Sequence, residues 1–76
     1  MTTSEKVISM IAKQLRINEN EVTPEKRLLE DLKADSANVM VMIMDMEDEF
    51  DISVDDGAIV KLKTVGDVIR YIEENA

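Results

Sequence analysis

The chemistry open to this chain is narrow. It has no histidine, no cysteine and no tryptophan, so the only candidate nucleophiles are hydroxyls, and none has an imidazole to activate it. One hydroxyl stands apart, that of Ser36 in the pair Asp35-Ser36. It comes directly before a stretch of apolar and acidic residues that runs to Phe50. Read as a helix, this stretch places Ser36 at or next to the N-cap, where serine is favoured because its oxygen can accept a free backbone N–H. The same end carries the positive pole of the helix dipole, so a phosphate esterified to Ser36 would meet a favourable field. Metal chemistry is the other possibility, because Asp51 to Asp56 with Gly57 resembles a calcium loop. The glycine falls at the seventh position from Asp51 rather than the sixth, and Leu62 stands where the twelfth-position glutamate should be. Neither a metal site nor a free-standing enzyme is expected.

The elements that would position Ser36 are legible from apolar spacing. Thr2 and Glu5 have the separation of a capping box, and Val7, Ile8, Ile11, Ala12 and Leu15 recur on one helical face, giving a first helix over about Ser4 to Arg16. The polar run Asn18 to Glu21 ends it. A long connection follows, in which Thr23-Pro24 resembles an N-cap with proline at the first helical position. Pro24 to Leu32 is therefore read as a turn or two of helix with Leu28, Leu29 and Leu32 facing inward. The next segment alternates Met40, Met42, Met44 and Met46 with other residues as a strand would, but its length, its lack of a partner strand and its helix-favouring methionines decide for a helix. Val39, Met42, Ile43, Met46 and Phe50 then form the core side. Ala37, Met40, Val41 and Met44, rimmed by Asp45, Glu47 and Asp48, project elsewhere, as a docking surface for a basic-rimmed groove or as a second buried side. Ile52 and Val54 read as core residues of the following loop. Ser53 or Asp55 caps a short third helix from about Asp56 to Val60, and Thr64 with Asp67 opens a fourth bearing the stripe Val65, Val68, Ile69 and Ile72. Lys61 and Lys63 form a small basic spot in a solvated loop.

The expected fold is all-α: a small four-helix bundle with a long helix 1 to helix 2 loop and a short third helix. At 76 residues the chain is read as a single domain over 1–76, stabilised by packing without disulfide or metal. Its 9 basic and 17 acidic residues give a formal charge of −8. That charge disfavours nucleic acid and anionic lipid and favours partners with basic patches. The 45% hydrophobic content is too high for an acidic disordered tail. No signal-peptide pattern or membrane-spanning apolar run is seen, so a cytoplasmic monomer without membrane insertion is expected.

Four helices, a long first connection and a serine at the start of helix two, led by Glu30-Asp31-Leu32-Lys33-Ala34-Asp35, together resemble an acyl carrier protein. The resemblance extends to Glu47 to Phe50, Lys61 to Val65 and Tyr71-Ile72. It implies that Ser36 is esterified by 4'-phosphopantetheine, taken from coenzyme A by a separate phosphopantetheinyl transferase, with Asp35 as a flanking recognition residue. The arm would supply the thiol this chain lacks and hold growing acyl chains as thioesters. By position, partners would dock on Ala37, Met40, Val41, Met44, Glu47 and Asp48; they would include ketosynthases, acyltransferases and other acyl-processing enzymes with basic patches. In the family, leucine commonly follows the serine with acidic residues soon after, and glycine often precedes Ala-Asp-Ser; here Ala37, Asn38, Val41 and Lys33 stand in those places. The leading expectation is a carrier for fatty-acid synthesis. The alternatives are a dedicated carrier for a polyketide, peptidyl or other specialised acyl pathway, and, more remotely, an acidic helical interaction module in which Ser36 only caps a helix.

Overall fold

The computed structural model describes residues 2–76 and contains four α-helices and one 3₁₀ turn, with no β-strand among the described residues. Helix α1 spans Thr3–Leu15 and starts as the spacing predicts: the Thr2 hydroxyl accepts the Glu5 N–H (3.1 Å) while the Glu5 carboxylate accepts the Thr2 N–H (2.9 Å). It ends at Arg16, which turns left-handed (φ 58°) and donates its N–H back to the Ala12 carbonyl. The polar run after it forms a short 3₁₀ turn, Glu19–Glu21, capped by Asn18.

Helix α2 spans Ser36–Phe50, α3 spans Asp56–Ile59 and α4 spans Val65–Asn75. Asp55, of the two residues proposed, caps α3, its carboxylate accepting the Ala58 N–H at 2.7 Å. Thr64 and Asp67 form the capping box of α4. The core gathers Val7 and Ile11 of α1, Met42, Ile43 and Met46 of α2, and Val65, Val68, Ile69 and Ile72 of α4, with Val22, Leu28, Leu32 and Ala34 from the long connection. Helix α3 contributes no fully buried residue. Ile52 and Val54 are half-buried, and Ile52 packs against the core. Two long-range bonds hold their loop: the Val54 N–H donates to the Glu47 carboxylate (2.8 Å) and the Tyr71 hydroxyl to the Ser53 carbonyl (3.4 Å).

The connection before α2 corrects the expectation of a helix over Pro24 to Leu32. Residues 23–26 make a turn closed by Lys26 N–H to Thr23 C=O (3.0 Å), and a second turn starts at Arg27, whose carbonyl accepts the Asp31 and Leu32 N–H groups. Helix does not propagate because the backbone groups it would use are bonded across the molecule. Leu28 N–H donates to Lys63 C=O (2.9 Å), Val65 N–H to Lys26 C=O (3.0 Å) and Gly66 N–H to Pro24 C=O (2.8 Å), with an isolated antiparallel bridge between Arg27 and Thr64. The chain entering α4 thus clamps the loop that leads to Ser36. In this turn Leu28 and Leu32 are buried as expected, but Leu29 is 55% exposed, because the second turn sends adjacent leucines to opposite sides.

Candidate functional site

The site is built by the way α2 begins. Asp35 is its N-cap: the Asp35 carboxylate accepts the Asn38 N–H at 2.8 Å, and the Asn38 side-chain oxygen accepts the Asp35 N–H at 3.3 Å. Ser36 is the first helical residue, not the cap. Its side chain is exposed, and among the described residues its hydroxyl has no hydrogen-bond partner. The reading of Ser36 as a plain helix cap is therefore overturned, because a carboxylate one residue earlier already takes the cap's donor. The capping pair was present in the sequence as Asp35 and Asn38 at the required spacing. It was hidden because serine is itself a favoured cap and asparagine is not the usual reciprocal residue.

Neither the Ser36 nor the Ala37 N–H finds an acceptor among the described residues, so both add to the positive end of the helix beside the free hydroxyl. The approach to Ser36 is pinned by Arg27, whose guanidinium pairs with Glu30 (2.6 Å) and Asp31 (3.3 Å). The Arg27 N–H, followed by its guanidinium, holds the Asp31 carboxyl below the usual aspartate range, and the Asp31 carboxylate in turn raises the Arg27 guanidinium. Lys33, at the family's frequent glycine position, is left-handed with φ 62°. That conformation is one glycine adopts without a Cβ penalty, which accounts physically for the family's preference there.

Ser36 also lines an open, mainly apolar cleft of about 440 Å³, between the start of α2, the 27–30 turn and α3. Leu29, Val39, Met40, Val60 and Leu62 supply its apolar wall, and Arg27, Glu30 and Lys63 stand at its edge. Along α2, Ala37, Met40, Val41 and Met44 are exposed, as is Asp48. Glu47 lies apart from this group in its bonding: it is half-buried, with its carboxylate accepting the Val54 N–H. Among the described residues, no group of three or more metal-ligating side chains comes together and no helix is long and apolar enough to cross a membrane.

A family model described as a phosphopantetheine attachment site matches residues 5–72. The acyl carrier protein of Helicobacter hepaticus is 45% identical over 75 residues, 99% of each chain. That of Thermotoga maritima is 45% identical over 69 residues, covering 91% of this chain and 85% of the relative. Among solved structures, a Mycobacterium tuberculosis protein described as a candidate acyl carrier protein superposes with a TM-score of 0.90 at 32% identity, over 96% of this chain and 97% of that one. An acyl carrier protein from Enterococcus faecalis superposes with a TM-score of 0.82 at 35% identity over the whole of both chains. The chain belongs to the acyl carrier protein family, and it is a carrier rather than an enzyme, holding acyl chains on a covalently attached 4'-phosphopantetheine arm and serving acyl-processing enzymes.

Proposed function

We propose that the arm is attached to the Oγ of Ser36, within a single carrier domain spanning 1–76. The observation that supports this most directly is the division of labour at the start of α2. Asp35 caps the helix, leaving the next hydroxyl exposed and without a partner among the described residues. Attachment forms a phosphoester between Oγ and the phosphate of the arm; the hydroxyl proton and the adenosine 3',5'-bisphosphate of coenzyme A leave. The residues present suit the group: the Ser36 and Ala37 N–H groups at the start of α2 are left without an acceptor among the described residues, and the apolar cleft opening at Ser36 gives the rest of the arm a surface to lie on. When attached, the arm provides the thiol that forms the acyl thioester. Asp35 acts by presenting Ser36 at the first helical position, which gives the transferase a fixed target.

In this reading a phosphopantetheinyl transferase loads the chain, and ketosynthases and acyltransferases then approach the exposed side of α2 at Ala37, Met40, Val41, Met44 and Asp48. Glu47, also expected on that surface, is half-buried and accepts the Val54 N–H, so it ties α2 to the following loop. The carrier works as a cytoplasmic monomer, since a charge of −8 opposes self-association. Fatty-acid synthesis is the leading pathway. The uncharged start of α2, with Ala37, Asn38 and Val41, favours as a second reading a dedicated carrier for another thioester pathway. Offering the acyl-loaded protein to a fatty-acid ketosynthase and to a polyketide ketosynthase separates the two: extension by the first alone supports fatty-acid synthesis, and extension by the second alone supports the specialised pathway. Attachment itself is tested by incubating the parent and Ser36→Ala with coenzyme A and a transferase. The mass of one phosphopantetheine should be gained by the parent only, and a gain by both would remove Ser36 from the account.

A further inference from the structure

The surface around Ser36 differs sharply in charge from the rest of the molecule. From Ser36 to Met44 helix α2 carries no charged residue, and the first carboxylate on it is Asp45. At about 1.5 Å per residue, Asp45 lies about 13 Å along the axis from Ser36, beyond a Debye length of about 8 Å at physiological salt. Nearer to Ser36 the charges offset one another: Arg27, Lys33 and Lys63 stand against Glu30, Asp31 and Asp35, with Arg27 paired to two of the three acids. A locally neutral surface thus surrounds the attachment position on a chain of net charge −8.

That neutral surface is apolar and continuous. Ala37, Met40, Val41 and Met44 are linked by three- and four-residue steps and so form one ridge. Met40 is 44% exposed, Val41 43% and Met44 59%. Across the cleft stand Leu29 at 55% and Val60 at 70%, which with Met40 line the same cleft as Ser36. The core does not need these side chains, since α2 already buries Met42, Ile43 and Met46 on its other side. Five large apolar groups in one exposed patch around a reactive hydroxyl are characteristic of a surface that a partner covers. An enzyme that takes hold of an arm rooted at Ser36 has to press on this patch to reach it.

Resting on the assignment of the arm to Ser36, we infer that this chain is recognised by acyl-processing enzymes whose active-site mouth presents apolar side chains, rather than a basic patch, to Met40, Val41, Met44 and Val60. Docking next to the arm is driven by apolar burial. Charge acts only at the far end of α2, at Asp45 and Asp48, where it steers approach without holding the complex.

The test is the KM of a ketosynthase from the same genome for the acyl-loaded chain, read at about 0.05 M and about 0.5 M NaCl. Met40→Ser and Met44→Ser are assayed beside the parent; both positions are exposed, and circular dichroism checks that the variants keep the helical fold. The inference expects KM to change less than about threefold with salt, and each serine variant to raise it more than about threefold with kcat retained. A KM that rises more than about threefold with salt, serine variants within about threefold of the parent, or no turnover by a loaded chain would each overturn it. Loading is confirmed first by intact mass. A chain that takes up no phosphopantetheine overturns the Ser36 assignment and this inference together, whereas a loaded chain whose binding is salt-driven overturns this inference alone.

Discussion

At the scale of single residues, adjacent positions at the start of α2 have different work. Asp35 satisfies the Asn38 N–H and so stabilises the helix; the Ser36 hydroxyl makes no hydrogen bond among the described residues, which suits the attachment proposed for it. Asp35→Ala should lower stability by about 0.5 to 2 kcal/mol, the usual cost of losing an N-cap. Ser36→Ala should shift it by a few tenths of a kcal/mol at most, since alanine is the best helix former. Chemical denaturation of the two variants measures this directly, and equal losses would mean that the capping assignment is wrong. Lys33 provides a second case. A lysine held at φ 62° carries strain of about 1 to 2 kcal/mol, and glycine would relieve it at the cost of greater freedom in the unfolded chain. Lys33→Gly is expected to raise stability by about 1 kcal/mol, and a lower melting temperature would contradict that. The sequence singled out Asp35 and Ser36 as adjacent residues at the start of α2, where the structure places both. It could not divide the capping role between them, because both residue types are good caps and only the backbone dihedrals decide which one is extended.

At the scale of elements, the helices were readable and the connection between the first two was not. Thr2 with Glu5 and Thr64 with Asp67 act within four residues, so local spacing was enough to place the starts of α1 and α4. The turns from Thr23 to Leu32 depend on partners far along the chain, at Lys63, Val65 and Gly66, and no local pattern reports them. The exposure of Leu29 beside buried Leu28 follows from the same long-range clamp. Gly66 makes that clamp possible: an added Cβ would lie 3.1 Å from the Pro24 carbonyl oxygen, which Gly66 itself holds at 2.8 Å. Gly66→Val should therefore destabilise by about 1 to 3 kcal/mol and loosen the approach to Ser36, seen as faster amide exchange at Leu28. At the same junction the Asp67 carboxyl lies below the usual aspartate range, chiefly because it accepts the Thr64 N–H, with further help from the Lys63 N–H and Arg70. A carboxyl with a depressed folded value contributes its stability above the ordinary aspartate range and loses it as pH falls through the folded value. Asp67→Asn should accordingly melt below the parent at neutral pH, with the gap closing in acid. A gap that persists at the lowest pH would show that the carboxylate charge is not what matters.

For the whole molecule, 17 acidic residues occupy a body of 27 × 26 × 19 Å. At about 0.01 M salt the Debye length is about 30 Å, so every charge acts on every other; at about 1 M it falls to about 3 Å. The four ion pairs among the described residues are all at the surface, and such pairs are worth about 0 to 1 kcal/mol each. Relief of self-repulsion therefore outweighs their loss, and the melting temperature should rise steadily with added NaCl; a flat or falling curve would contradict this. The same excess charge makes the neutral, apolar surroundings of Ser36 unusual within the molecule, and both features support the proposal that the chain meets its enzymes at that hydroxyl. The most direct measurement of that claim is peptide mapping by mass after treatment with coenzyme A and a phosphopantetheinyl transferase. The account predicts one phosphopantetheine, on the peptide containing Ser36 and on that residue. A modification found on Ser53, Thr64 or any other hydroxyl, with Ser36 unmodified, would contradict it.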